Sequence, residues 1–240
     1  MTPFVPMRSG QTKTATFGVA VFVCAQIFSA HAQTPAQNTL PNPKPLVFDK
    51  VFNTQDEPAQ LHFVARYVTA SGPHELEVWR DAQKRLRRRT DNNSDAYVQK
   101  GKGPEDWSMT LYDHQKKIAS QLSREALIKL GQFTDWFDLS HGLTRPFGEY
   151  QLSATSKAWT EKNTAKPLSN CQWFDLLQKG QTSHVCWSAK HHLPMLIAGP
   201  NDQIIWQVAE VDNKPANLSV WQQPKQGYLH NNASKDILDD

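Results

Sequence analysis

The stretch "WSMTLYDHQKKIASQLSREALIKLGQFTDWFDLSHGL", Trp107 to Leu143, changes its period halfway along. Trp107, Met109 and Leu111 alternate with Ser108 and Thr110, the pattern of a strand with one buried face. A lysine-bearing turn and the run "KIASQLS" (Lys117 to Ser123) complete a hairpin. From Arg124 the apolar spacing becomes three and four: Leu127, Leu130, Phe133 and Phe137 form a stripe that Trp136, Leu139 and Leu143 widen. Ser123 is the N-cap such a helix needs, and Gly131 is its point of interruption. A meander followed by an aromatic helix gives an α+β class with the helix laid on one face of the sheet. The stripe serves either as ordinary core or as the lid of a ligand cavity, because apolar periodicity does not separate packing from binding.

Strands extend in both directions from this stretch. Upstream lie "LHFVARYV" (Leu61 to Val68), "LEVWRD" (Leu76 to Asp81), "KRLRRRTD" (Lys84 to Asp91) and "DAYVQK" (Asp95 to Lys100), separated by Gly, Asn, Asp, Pro or Lys turns. Downstream come "EYQLSATS", "CQWFDLLQ", "SHVCWSA", "LPMLIAG" and "QIIWQVAEVD", with "GPNDQ" as the turn between the last two. Val47, Phe48, Val51 and Phe52 recur at helical spacing ahead of the first strand. The expected order is helix, antiparallel meander, helix, meander. The folded body is read as a single domain over residues 46–222, with a flexible tail over 223–240 that lacks periodicity.

The N-terminus sets the compartment. Arg8 and Lys13 precede the apolar run "FGVAVFVCAQIF" (Phe17 to Phe28), and "SAHAQ" then places Ala30 and Ala32 where a signal peptidase reads small residues. Residues 1–32 read as a secretory signal peptide cut after Ala32, and 33–45 as a proline-rich leader. The apolar run is shorter than the roughly 20 residues that span a bilayer, so the protein is expected in the periplasm rather than as an integral membrane protein. Of 26 Lys and Arg, two leave with the signal, against 23 Asp and Glu, so the exported chain is near neutral and carries no footprint for nucleic acid.

The chain has 3 cysteines, and Cys24 lies inside the signal. In an oxidising compartment Cys171 and Cys186 are expected to pair across a hairpin turning at Lys179-Gly180. Zinc is not expected, because "CWSAKHH" lacks ligand spacing, and His191 and His192, adjacent on a strand, point to opposite faces.

Three stretches carry a family resemblance. "LEVWRDAQKRLRRRTD" looks like an early hairpin in which an aromatic-bearing strand precedes an arginine-rich one, and "WSMTLYDHQKKIASQLSR" looks like the hairpin that leads into a helix. "HLPMLIAGPNDQIIWQVAEVDNKPANLSVW" looks like a closing section ending near Val220 and Trp221. Together they resemble the periplasmic lipoprotein-carrier superfamily of LolA and LolB type, including RseB-like sensors. The resemblance implies a curved, open antiparallel β-sheet, a half-barrel, wrapped around short helices and enclosing an apolar cavity for acyl chains.

The candidate cavity residues are Trp79, Trp107, Met109, Leu111, Leu130, Phe133, Trp136, Phe137 and Trp206, although 8 tryptophans must also supply core. Arg85, Arg87 and Arg89 share one face of their strand and could hold an anionic headgroup or partner; the alternative is a solvated face balanced by Glu75, Glu77 and Asp81. No nucleophile elbow, H-E-x-x-H, Walker loop or haem motif occurs, so no cofactor and no catalytic residue are expected. Asp138, Ser140 and His141 lie close in sequence, at a helix end where such residues usually cap. The expected function is carriage of a lipid or lipidated protein in an apolar concavity. The alternative is a non-enzymatic sensor or scaffold that binds an envelope protein through the arginine strand, and a small hydrolase using His141 stands third.

Overall fold

The computed structural model describes residues 45–82, 84–103, 106–131, 135–156 and 170–239. The expected signal peptide, all of the leader but Pro45, and Phe133 lie outside them.

The first meander matches its sequence pattern closely. After a single helical turn, α1 (Phe48–Val51), come β1 (Gln60–Thr69), β2 (Gly72–Asp81), β3 (Arg85–Thr90), β4 (Ser94–Lys100), β5 (Trp107–Asp113) and β6 (Ile118–Ser123). The second comprises β7 (Tyr150–Ala154), β8 (Gln172–Gln178), β9 (Gln181–Ser188), β10 (Leu193–Ala198) and β11 (Ile204–Asp212). The β8–β9 turn is Lys179-Gly180 with φ of 49° and 75°, both positive, as a two-residue turn matched to strand twist requires.

The twelve strands among the described residues form one open sheet in the order β12-β6-β5-β4-β3-β2-β1-β11-β10-β9-β8-β7, where β12 is Leu229–Asn231. Pairing is antiparallel throughout except β12 with β6. The two meanders meet at β1–β11, and β7 and β12 end the sheet without closing it. Register shifts at Val64/Ala65, Pro194/Leu196 and Ile197/Ala198 bend the strands at and beside this junction. The result is an α+β half-barrel around short helices.

The aromatic stretch over Arg124–Leu143, read with an interruption at Gly131, forms two helices, α2 (Arg124–Lys129) and α3 (Trp136–His141). Gly131 adopts φ +69°, the left-handed conformation that ends a helix, and Asp135 restarts the second by accepting from Asp138 N at 2.8 Å. The segment after Gln222 is not featureless. It forms β12 on the edge of β6 and then α4 (Ala233–Asp239), which packs against α2.

Core residues sort by strand parity. Leu61, Phe63, Leu76, Val78, Leu86, Val98, Trp107, Met109, Phe174, Val185, Trp187, Trp206 and Val208 line the concave face and join Phe48, Phe52, Trp136, Phe137, Leu139 and Leu143 in one cluster. Cys171 and Cys186 form a disulfide, Cα atoms 5.4 Å apart, in a separate cluster with Leu196, Ala198 and Trp173. It ties the lead-in of β8 to β9 on the opposite face.

Candidate functional site

The concave face is filled by α1 and α3. Phe48 meets Phe52 at 4.8 Å and Phe137 at 5.9 Å between ring centroids, while Phe52 reaches Phe174 at 5.4 Å and Trp187 at 5.1 Å, all edge to face. Phe137 stacks on His141 at 4.3 Å. Gly142 ends α3 in the left-handed region, φ +66°, flat against the Trp206 ring: a Cβ there would lie 2.6 Å from it. The Trp206 indole donates to Pro194 O at 2.8 Å, fixing that ring as the floor beneath the helix end.

A polar group sits inside this apolar shell. His141 is fully buried, its Nε2 3.1 Å from Glu57 Oε2 and its Nδ1 2.7 Å from Ser140 Oγ. Burial pushes the His141 imidazole down to about 4 despite the Glu57 carboxylate. Arg80 shares Glu57, Nη2 to Oε2 at 3.5 Å, and Arg88 donates to Leu139 O at 2.9 Å. Desolvation lowers both guanidinium pKa values from the ordinary arginine range. Glu57, Arg80 and Arg88 thus anchor α3 to β2 and β3. The Ser140–His141–Glu57 sequence is not an accessible triad: Ser140 is 1% exposed and donates to Trp136 O at 2.6 Å.

Two buried indole nitrogens in this interior, those of Trp107 and Trp136, have no hydrogen-bond acceptor among the described residues, and the Arg80 guanidinium makes its ion pair with Glu57 without a well-directed hydrogen bond. Sequence reading missed Arg80 and Glu57. The available signal was parity, since Leu76, Val78 and Arg80 alternate on one face of β2.

The expected cavity residues divide. Trp107, Met109, Trp136, Phe137 and Trp206 lie together in the concave cluster, with Leu111 packed at its margin. Trp79 does not: it lies on the outer face, stacked on His62 at 5.3 Å and beneath Arg87 and Arg89. Leu130, at the C-cap of α2, is 52% exposed.

Arg85, Arg87 and Arg89 do share the outer face, but each has an acidic partner. Arg85 bonds Asp81 at 3.0 Å, Arg87 makes a two-pronged contact with Asp95 at 3.0 and 2.8 Å, and Arg89 bonds Asp95 at 3.3 Å beside Glu77 at 3.7 Å. Arg87 holds Asp95 below the usual carboxylate range against the opposing effect of desolvation. The stripe is therefore a neutralised lattice rather than a bare cationic surface. Among the described residues no His, Cys, Asp and Glu side chains converge as a metal site, and no helix is long and apolar enough to cross a membrane.

No family model matches this sequence, and no curated protein matches it. Among solved structures the chain matches the crystal structure of MucB with a TM-score of 0.41 and 9% identity, over 75% of this chain and 63% of that one. The chain thus spans less than two thirds of that structure's length.

Proposed function

We propose that this protein is an exported, non-enzymatic binding protein that receives a lipid or lipidated chain on the concave side of its open sheet. The observation that carries this reading is the pair of buried indole donors, on Trp107 and Trp136, that meet no acceptor among the described residues of the concave interior. Buried donors are ordinarily paired, and an apolar ligand with an ester, amide or phosphate acceptor suits such an interior. What fills the concavity is also short: α1 has 4 residues and α3 has 6, so little secondary structure is lost when they shift. The Cys171–Cys186 bridge fits an oxidising compartment such as the periplasm, and the resemblance of the three sequence stretches to lipoprotein carriers points the same way. The sealed Ser140–His141 pair favours binding over hydrolysis.

The test is native mass spectrometry of the protein purified from periplasm, followed by organic extraction and uptake of a fluorescent acyl probe. Co-purifying acyl chains, or saturable uptake reduced by Leu111→Asn in a protein that still melts cooperatively, support the reading. A ligand-free protein that refuses the probe rejects it.

A further inference from the structure

The inner row of β4 and β5 changes character along its length. Successive cross-strand pairs on the concave face are Ala96 with Leu111, Val98 with Met109, and Lys100 with Trp107. The first two pairs are apolar, and the third sets an ammonium beside an indole. At its far end the same row closes on Ser94 with Asp113. An elongated amphiphile lying along it therefore meets opposite charge at its two ends, about 20 Å apart at the strand rise.

Three elements come together at the lysine end. Lys100 ends β4, Trp107 opens β5, and Trp136 opens α3 with its ring 5.3 Å from Lys100 Nζ. Lys84 lies alongside, exposed, its carbonyl accepting from Lys100 N at 2.8 Å. The two tryptophans are 4% and 5% exposed, and neither indole N–H meets an acceptor among the described residues. Lys100 is only half-buried, so this end of the row reaches solvent with α1 and α3 in place.

The chemistry of these groups is one-sided. An indole N–H and an ammonium donate and cannot accept, which matches a group that only accepts. An ionised carboxylate or phosphate can take a charge-assisted bond from each of them. The nearby Asp106 carboxylate is committed to its own loop, where Oδ2 accepts from Lys102 N at 3.1 Å.

We infer that the ligand of the concave side is an anionic amphiphile whose carboxylate or phosphate sits at Lys100, Trp107 and Trp136, with its apolar chain toward Val98 and Met109. The inference rests on the proposed ligand-binding reading and adds to it the charge of the ligand and its orientation.

The experiment compares two probes on the full chain: a pyrene-labelled fatty acid and its methyl ester, which share one chain and differ in charge. The acid is expected to bind about tenfold more tightly at neutral pH, the scale of a hydrogen bond to a charged group. That preference should shrink as salt is added. Lys100→Met, which keeps the aliphatic stem, should remove most of it. Trp107→Phe and Trp136→Phe, each in a protein that still melts cooperatively, should each reduce it. An alkyl phosphate should displace the acid, whereas inorganic phosphate alone should not. Equal binding of acid and ester overturns the inference and leaves the lipid reading standing. An acid preference untouched by all three substitutions overturns it as well, by placing the anion elsewhere. If inorganic phosphate displaces the acid as effectively as the alkyl phosphate does, the site takes a free anion and the inference fails. Refusal of both probes overturns it together with the reading it rests on.

Discussion

His141 on α3 lies 3.1 Å from Glu57, a residue 84 positions earlier that also faces Arg80 on β2. One carboxylate therefore serves two basic groups inside the shell, and three separate parts of the chain are held by it.

The acid response follows from that contact. The folded imidazole titrates near 4, below its ordinary 6.5, so between those values the unfolded chain binds the proton and the folded one does not. Stability is complete above pH 6.5 and falls as pH drops toward 4, by on the order of 3 kcal/mol. His141→Gln, melted across that range, should show a flatter profile. An unchanged slope would place the response elsewhere; the depressed carboxylates, Asp95 among them, act at lower pH.

Arg80 should behave as a buried ion whose removal depends on its partner. Arg80→Met alone leaves Glu57 with less compensation and is expected to destabilise by about 3 kcal/mol or more, whereas Arg80→Met with Glu57→Gln should recover most of that loss. Denaturant titration of the single and double variants measures the coupling. The same variants test acyl-probe uptake, since Arg80 lies in the interior that holds the Trp107 and Trp136 donors.

Gly142→Ala should be more harmful than its single methyl suggests. The position needs a left-handed backbone, and the new Cβ would meet Trp206, whose ring is fixed by its bond to Pro194 O. We expect a loss of roughly 2 to 3 kcal/mol, from overpacking added to backbone strain, with a shifted Trp206 fluorescence. Gly180→Ala, strained in the same way but with open space around it, should cost less.

Reducing the Cys171–Cys186 bridge, or replacing both residues with Ser, should lower stability by about 3 kcal/mol, the scale for a loop of 15 residues. Intact mass after alkylation, with and without reductant, reports the pairing directly: two thiols should be blocked only after reduction.

The strands were legible because their period of two is strong and their turns are chemically distinct. Trp107, Met109 and Leu111 needed nothing more than alternation. Trp79, expected among the cavity residues, lies on the outer face because Leu76, Val78 and Arg80 take the inner parity of β2. The helix break combined two local signals, Gly131 and the capping Asp135, of which only the glycine was read. Neutralisation of the arginine stripe depends chiefly on Asp95, placed by the register Arg89↔Asp95, and register is a property of the assembled sheet. The three residues of β12 carry no pattern of their own; the β6 edge makes them a strand.

The junction of β1 with β11 has a consequence for how the chain reaches this state. Every other antiparallel pairing joins strands consecutive in sequence, so each half can zip from its own hairpins in about microseconds. Joining them brings together residues as far apart as His62 and Asp212, 150 positions, which makes that closure the slow step. Until β11 arrives, β1 is an unpaired edge displaying Leu61, Phe63 and Ala65 on its apolar side, a template for any other strand nearby. The period of greatest exposure to aggregation is the interval between completion of the first half and arrival of the second, and dilution during refolding is expected to raise the yield accordingly.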